Sequence, residues 1–97
     1  MSRVRLSPRA VSDLDEIGDY IARDNPPRAE SFVDELESAC RRIAENPQAY
    51  PLRKDLAPDL RMGVHTNYLI LFRILPNEIR IERILHGARD LPRIWQS

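Results

Sequence analysis

The chain has 97 residues, of which 42% are apolar and 31% charged, and its formal net charge is zero. That length holds one hydrophobic core, so a single domain spanning residues 1–97 is expected. The balance excludes a disordered chain, and no apolar run approaches the roughly 20 residues that a bilayer helix requires.

Val4 and Leu6 alternate with Arg3 and Arg5, the period of a short strand with one buried face. Ser7-Pro8 starts a helix, because serine caps well and proline at the first helical position lacks only an N–H that would have no partner there. Ala10, Leu14, Ile17 and Ile21 then recur on one stripe, with acidic residues opposite, until about Asp24. Asn25-Pro26-Pro27 repeats the start signal. Ala29, Phe32, Val33, Leu36, Cys40 and Ile43 form a second stripe that ends at Asn46-Pro47. The short connection predicts an antiparallel helical hairpin. Cys40, the lone cysteine, has no partner for an internal disulfide and reads as a small buried helix residue.

Three prolines and the absence of glycine predict a surface loop from Pro47 to Pro58, which carries Arg53 and Lys54. Leu60–Val64 is a short strand candidate. Tyr68–Leu75, rich in branched and aromatic residues, is a strong one, and Glu78–His86 returns after Pro76-Asn77 to complete a β-hairpin. The tail RDLPRIW suits either a helical turn or an extended segment. The predicted fold is α+β: an N-terminal strand, then a helical hairpin lying on one face of a small, mainly antiparallel sheet. Along the strong strand, Tyr68, Ile70, Phe72 and Ile74 point to one face, and Leu69, Leu71, Arg73 and Leu75 to the other. If the first set meets the helices, the second leaves three leucines on an uncovered face, a pattern that marks an interaction site unless the tail or dimerisation covers it.

Charge divides unevenly. Pro8 to Asn46 holds five arginines and ten acidic residues, a balance of −5 that the rest of the chain must offset. The basic half uses arginine almost exclusively, Lys54 being the only lysine. Arginine's planar fork suits carboxylates, phosphates and aromatic rings.

The element order, with SPRAVSDLDEIGDYIA in the first helix, YLILFRI in the strong strand and ILHGARDL after the last, resembles the ParE branch of the RelE/ParE toxin superfamily. The resemblance covers nearly the whole chain. It implies the toxin half of a type II toxin-antitoxin pair, bound by a cognate antitoxin; no cofactor or metal is expected, and without a bilayer-length apolar run or an apolar signal core after MSRVRLSPR the default location is the cytoplasm, off the membrane. ParE-like members are described as poisons of DNA gyrase, whereas the RelE branch cleaves messenger RNA on the ribosome. RNA cleavage needs a base, an acid and cations at the scissile phosphate. In the nuclease branch the strong strand has a pattern like Tyr-Arg-Ile-x-Tyr, and the arginine's position is Leu69 here. Leucine cannot stabilise phosphate charge. Arg53, Lys54 and Arg61 match positions where the nucleases keep basic residues, and His86 stands near their strand-end acid/base. Gly87-Ala88 follows where they commonly have an aromatic.

The expectation is a non-enzymatic gyrase inhibitor with no sequence-specific nucleic-acid binding. Leu69, Leu71, Arg73 and Leu75 are the antitoxin-binding candidates, and Arg83, Arg89 and Trp95 the target-binding ones. A RelE-like endonuclease using His86, Arg61, Arg53 and Lys54 is the alternative, with a non-toxic binding module of the same fold as a third reading. For His86 alone, a structural role competes with partner contact and proton transfer. Gly87 is expected to permit the bend into the tail, and Arg89 and Asp90 to pair with each other or with the helices.

Overall fold

The computed structural model describes residues 3–95, with side chains described through Leu91. Strand β1 is Arg3–Leu6, helix α1 Pro8–Ala22 and helix α2 Pro26–Ile43; a 3-10 turn at Pro47–Ala49 opens the long loop. Strands β2 (Arg61–His65), β3 (Tyr68–Ile74) and β4 (Glu78–His86) follow, then helix α3 (Gly87–Trp95). Both helix starts use the expected caps: Ser7 Oγ accepts the Ala10 N–H at 3.0 Å, and Asn25 Oδ1 the Arg28 N–H at 3.2 Å.

The sheet order is β1-β4-β3-β2, with β1 parallel to β4 and the other pairs antiparallel. A short first strand parallel to the last is possible because the whole helical hairpin serves as the crossover between them. Ala10, Leu14 and Ile17 of α1 and Phe32, Leu36, Cys40 and Ile43 of α2 close over Tyr68, Ile70, Phe72, Ile79, Ile81 and Ile84. Burial pushes the Cys40 thiol up to about 11, so it stays neutral and inert.

A bulge in β4 changes which side chains face the helices. Leu71 lies opposite Arg83 but Phe72 lies opposite Ile81, which leaves Glu82 as the extra residue. Ile81 and Ile84, three apart, therefore both reach the helix-facing core, and Leu85 turns to the other side.

The second sheet face is not left open, contrary to the expectation from alternation. Leu71 is fully buried there, in a cluster with Leu60 and Leu85. Leu56, Ala57 and Met62 from the loop and β2, and Leu91 from α3, pack against that cluster. The loop is drawn onto this face because Leu52 bridges to Arg61, while Arg53 N–H donates to Leu60 O at 2.7 Å and Met62 N–H to Pro51 O at 3.0 Å. Leu69 and Leu75 are half-buried, and Val64, opposite Leu69, is 62% exposed. Among the described residues no helix is long and apolar enough to cross a membrane.

Candidate functional site

The residues with possible chemistry fall into four separate groups. At the far end of the sheet, Arg61 sits opposite Phe72, and its guanidinium donates to the main-chain carbonyls of Tyr50 at 2.7 Å and Gln48 at 3.3 Å. It pins the loop to the sheet. Arg53 is held by both oxygens of Asp55 at 2.9 and 2.7 Å, a pairing that raises its basicity and depresses the Asp55 carboxyl. Lys54 is exposed on the same loop.

His86 lies at the other end, opposite Tyr68. Four residues of β3 separate the two positions, roughly 13 Å at the usual strand rise. The His86 ring packs edge-on against Tyr68 with centroids 5.4 Å apart. Its Nδ1 accepts the Arg89 main-chain N–H at 3.2 Å, so the imidazole caps α3. Gly87 opens that helix rather than bending the chain: no described glycine has a positive φ, and the Gly87 N–H donates to Asn67 O at 3.0 Å. The left-handed turn residue is Thr66, at φ 52°. Arg89 and Asp90 pair as expected, at 3.1 Å, and that hydrogen bond holds the Arg89 guanidinium above its ordinary value.

The third group, on the outer sheet face, is paired within the sheet. Arg73 binds Asp59 at 3.0 Å and also Glu82, Arg80 binds Glu82 at 2.9 Å, and Arg5 binds Glu78 at 2.8 Å. Hydrogen bonding to Arg73 depresses the Asp59 carboxyl, and hydrogen bonding to Arg5 depresses that of Glu78. The arginines of this face therefore bring their own counter-charges, which weakens them as a seat for phosphate.

Arg83 has a different surrounding. Its guanidinium grips both oxygens of Asp13 on α1, at 2.9 and 3.0 Å, and the Ile84 N–H donates to the same carboxylate at 2.9 Å. Asp13 is only 6% exposed. Because β1 stops at the residue paired with Ile81, β4 has no strand neighbour beyond it on that side, and the buried carboxylate satisfies the donor a fifth strand would have met. The hydrogen bond that Arg83 donates to Asp13, opposed by burial, raises the Arg83 basicity further. Arg83 thus serves as an internal lock. It forms one wall of a cleft of about 430 Å³ between α1, β4 and α3, whose lining includes Asp13, Tyr20, Arg23, Arg89 and Asp90. Tyr20 is 55% exposed and carries the guanidinium of Arg23 at 5.9 Å and of Arg89 at 5.5 Å from its ring centre. Trp95 ends α3, and its side chain lies outside the described residues' side chains.

Sequence reasoning missed Asp13, although a signal was present: it stands three residues after Ala10 and four before Ile17, inside the buried stripe. It also missed His65, whose Nε2 lies 3.0 Å from Glu35 Oε1 on α2 and whose ring is 5.6 Å from Phe32. Nothing local in the sequence joins those residues. Among the described residues no three metal-ligating side chains come together.

The fold is similar to that of a chain in the solved structure titled "Chromosomal ParDE TA system from P. aeruginosa", with a TM-score of 0.79 at 22% identity over 89% of this chain and 96% of that one. The chain is 31% identical to toxin ParE1 of Mycobacterium tuberculosis over 94 residues, which cover 95% of this chain and 96% of the relative. It is 32% identical to toxin RelE2 of Caulobacter vibrioides over 89 residues, which cover 92% and 99%. The family described as "ParE toxin of type II toxin-antitoxin system, parDE" matches residues 4–91. With that match across the paired strands and the helical hairpin, the chain belongs to the ParE family of type II toxins.

Proposed function

We propose that this toxin inhibits DNA gyrase by binding it in the cytoplasm, without chemistry of its own, and that a cognate antitoxin silences it. One observation carries the reading: the side chains a nuclease would need are committed to the protein's own main chain. His86 Nδ1 is bonded to the Arg89 N–H, and Arg61 to two loop carbonyls at the opposite end of the sheet. An acid, a base and a phosphate-binding cation must converge within hydrogen-bond reach of one reacting group. Here Leu69 occupies the strand position between them, and Arg53 is neutralised by Asp55.

Antitoxin docking is assigned to the outer sheet face. Leu69 and Leu75 retain accessible surface there beside Val64 and Arg73, and Leu71 supports them from beneath. Arg89 and the Tyr20 edge of the cleft are the surface we assign to the target, since Arg83 is locked on Asp13. The RelE-like reading keeps one point in its favour, the 32% identity to toxin RelE2.

Induced expression with separate readouts of DNA breaks and of ribosome-bound mRNA cuts tests the proposal. Breaks without cuts are expected, from both the unmodified protein and His86→Gln. Cuts by the unmodified protein that fall about 10² to 10⁴ fold in His86→Gln, the usual worth of a general acid or base, would establish the nuclease instead.

A further inference from the structure

The junction between β4 and α3 is closed by two reciprocal hydrogen bonds. His86 Nδ1 accepts the Arg89 N–H at 3.2 Å, and an Asp90 carboxylate oxygen reaches back to accept the His86 N–H at 3.0 Å. This is the logic of a capping box, with histidine in a place usually held by Ser, Thr, Asn or Asp. Those residues keep their acceptor at any ordinary pH. An imidazole does not.

When Nδ1 accepts, the ring hydrogen of the neutral side chain is on Nε2. An incoming proton must therefore go to Nδ1, the lone pair that the Arg89 N–H occupies. Protonation replaces an acceptor with a donor facing a donor, and it adds positive charge at the positive end of a helix dipole. One turn further on, Leu91 rests on the outer-face cluster of Leu60, Leu71 and Leu85. Through Leu91, α3 is therefore part of the cover of that cluster, beside Leu56, Ala57 and Met62, and the cap fixes the start of the helix that carries it.

We propose that His86 is a proton-operated latch: neutral, it holds the start of α3, and with it Leu91, on the cluster of Leu60, Leu71 and Leu85, and protonated, it loosens that hold. This inference stands apart from the identity of the toxin's target. The charged and titratable groups that contact His86 are Arg89 and Asp90 from α3 and Tyr68 from β3, and Arg89 in turn lies over the Tyr20 ring of α1. Asp90 attracts an imidazolium, and Arg89 and the helix terminus repel it. Asp90 already receives the His86 N–H and Arg89 Nε, and its attraction does not restore the lost acceptor. Loss of the acceptor weakens the cap, so docking is strongest while Nδ1 is unprotonated and weakens when Nδ1 takes up a proton.

The test is an NMR titration of the full chain across about pH 8 to 5, the range in which histidines charge, following the His86 ring and the ¹³Cα shifts of residues 88–91 together. The helical shifts are expected to decline with the midpoint of the His86 ring, and the docked-to-released ratio to change by about fivefold, the usual worth of an N-cap. His86→Asn, a cap that does not titrate, should keep residues 88–91 helical throughout, and His86→Ser serves the same purpose if that variant folds poorly. His65 reports separately through its own ring signals. Helical shifts that stay constant while His86 takes up its proton, or the same pH-dependent loss in His86→Asn, would overturn the latch.

Discussion

Removing the Asp13 carboxylate is the sharpest probe of how the α1 layer is fastened to the sheet. Asp13→Ala deletes two charge-assisted hydrogen bonds to Arg83 and the acceptor for the Ile84 N–H. What remains is a guanidinium whose side chain is 14% exposed and a buried main-chain donor without a partner. Breaking a buried ion pair from one side costs about 3–5 kcal/mol, and an orphaned buried donor about 1–3 kcal/mol, contributions that overlap here. Because Arg83 lines a cleft that water can enter, the lower end applies, a total of about 3–4 kcal/mol. For a domain with about 5–15 kcal/mol of stability, that is a large part of the whole. Asp13→Asn, which keeps an acceptor for Ile84, should lose roughly half as much. Replacing both partners, as in Asp13→Leu with Arg83→Met, should recover most of the loss, since apolar replacements of buried pairs are often neutral. Urea unfolding monitored by circular dichroism measures each step. A loss below about 1 kcal/mol in Asp13→Ala, within the range of an exposed pair, would refute the assignment of Asp13 as a buried lock.

Phe32 meets Tyr68 at 5.5 Å and His65 at 5.6 Å between ring centres, so Phe32→Ala should cost about 3–5 kcal/mol in the same unfolding assay. Glu35, Asp55, Asp59 and Glu78 all have carboxyls depressed below their ordinary values of 4.5 for Glu and 3.8 for Asp, each chiefly by a hydrogen bond to an arginine. A depressed carboxyl stabilises the folded state fully above its unfolded value and loses that contribution as pH falls through the folded one. The denaturant midpoint should therefore hold down to the ordinary carboxylate range and drop below it, and added salt should flatten the part of the drop that comes from the exposed Asp55 and Asp59. The antitoxin complex should survive moderate salt, since apolar burial at Leu69 and Val64 is unscreened, and gel filtration at rising ionic strength reads this directly.

Both helices, their caps and the β3–β4 hairpin were legible because each rests on a local pattern: Ser7-Pro8 and Asn25-Pro26 as starts, one apolar stripe per helix, and a proline-asparagine turn between two strongly β-forming runs. The outer sheet face was not legible in the same way. Its cover comes from Leu56, Ala57 and Met62, brought in by a loop whose prolines hide any period, and from Leu91 in a tail that read equally as extended. The bulge at Glu82 defeats period-two reading as well, since strict alternation separates Ile81 from Ile84 and sends Leu85 to the helices. At the candidate site, the match of residue types at His86, Arg53 and Arg61 was visible. Their commitment to Arg89, Asp55 and the loop carbonyls was not, because hydrogen-bond partners depend on which segments fold next to one another.

The proposed action of this toxin is inhibition of DNA gyrase by binding. It is tested most directly by adding the purified chain to purified gyrase and following ATP-dependent supercoiling of relaxed plasmid. Supercoiling is expected to be inhibited at toxin concentrations comparable to the enzyme, with cleaved plasmid accumulating, and the inhibition to be relieved by the cognate antitoxin. Unchanged supercoiling at a large excess of toxin, from a preparation that arrests ribosome-dependent translation by cutting the message, would contradict it.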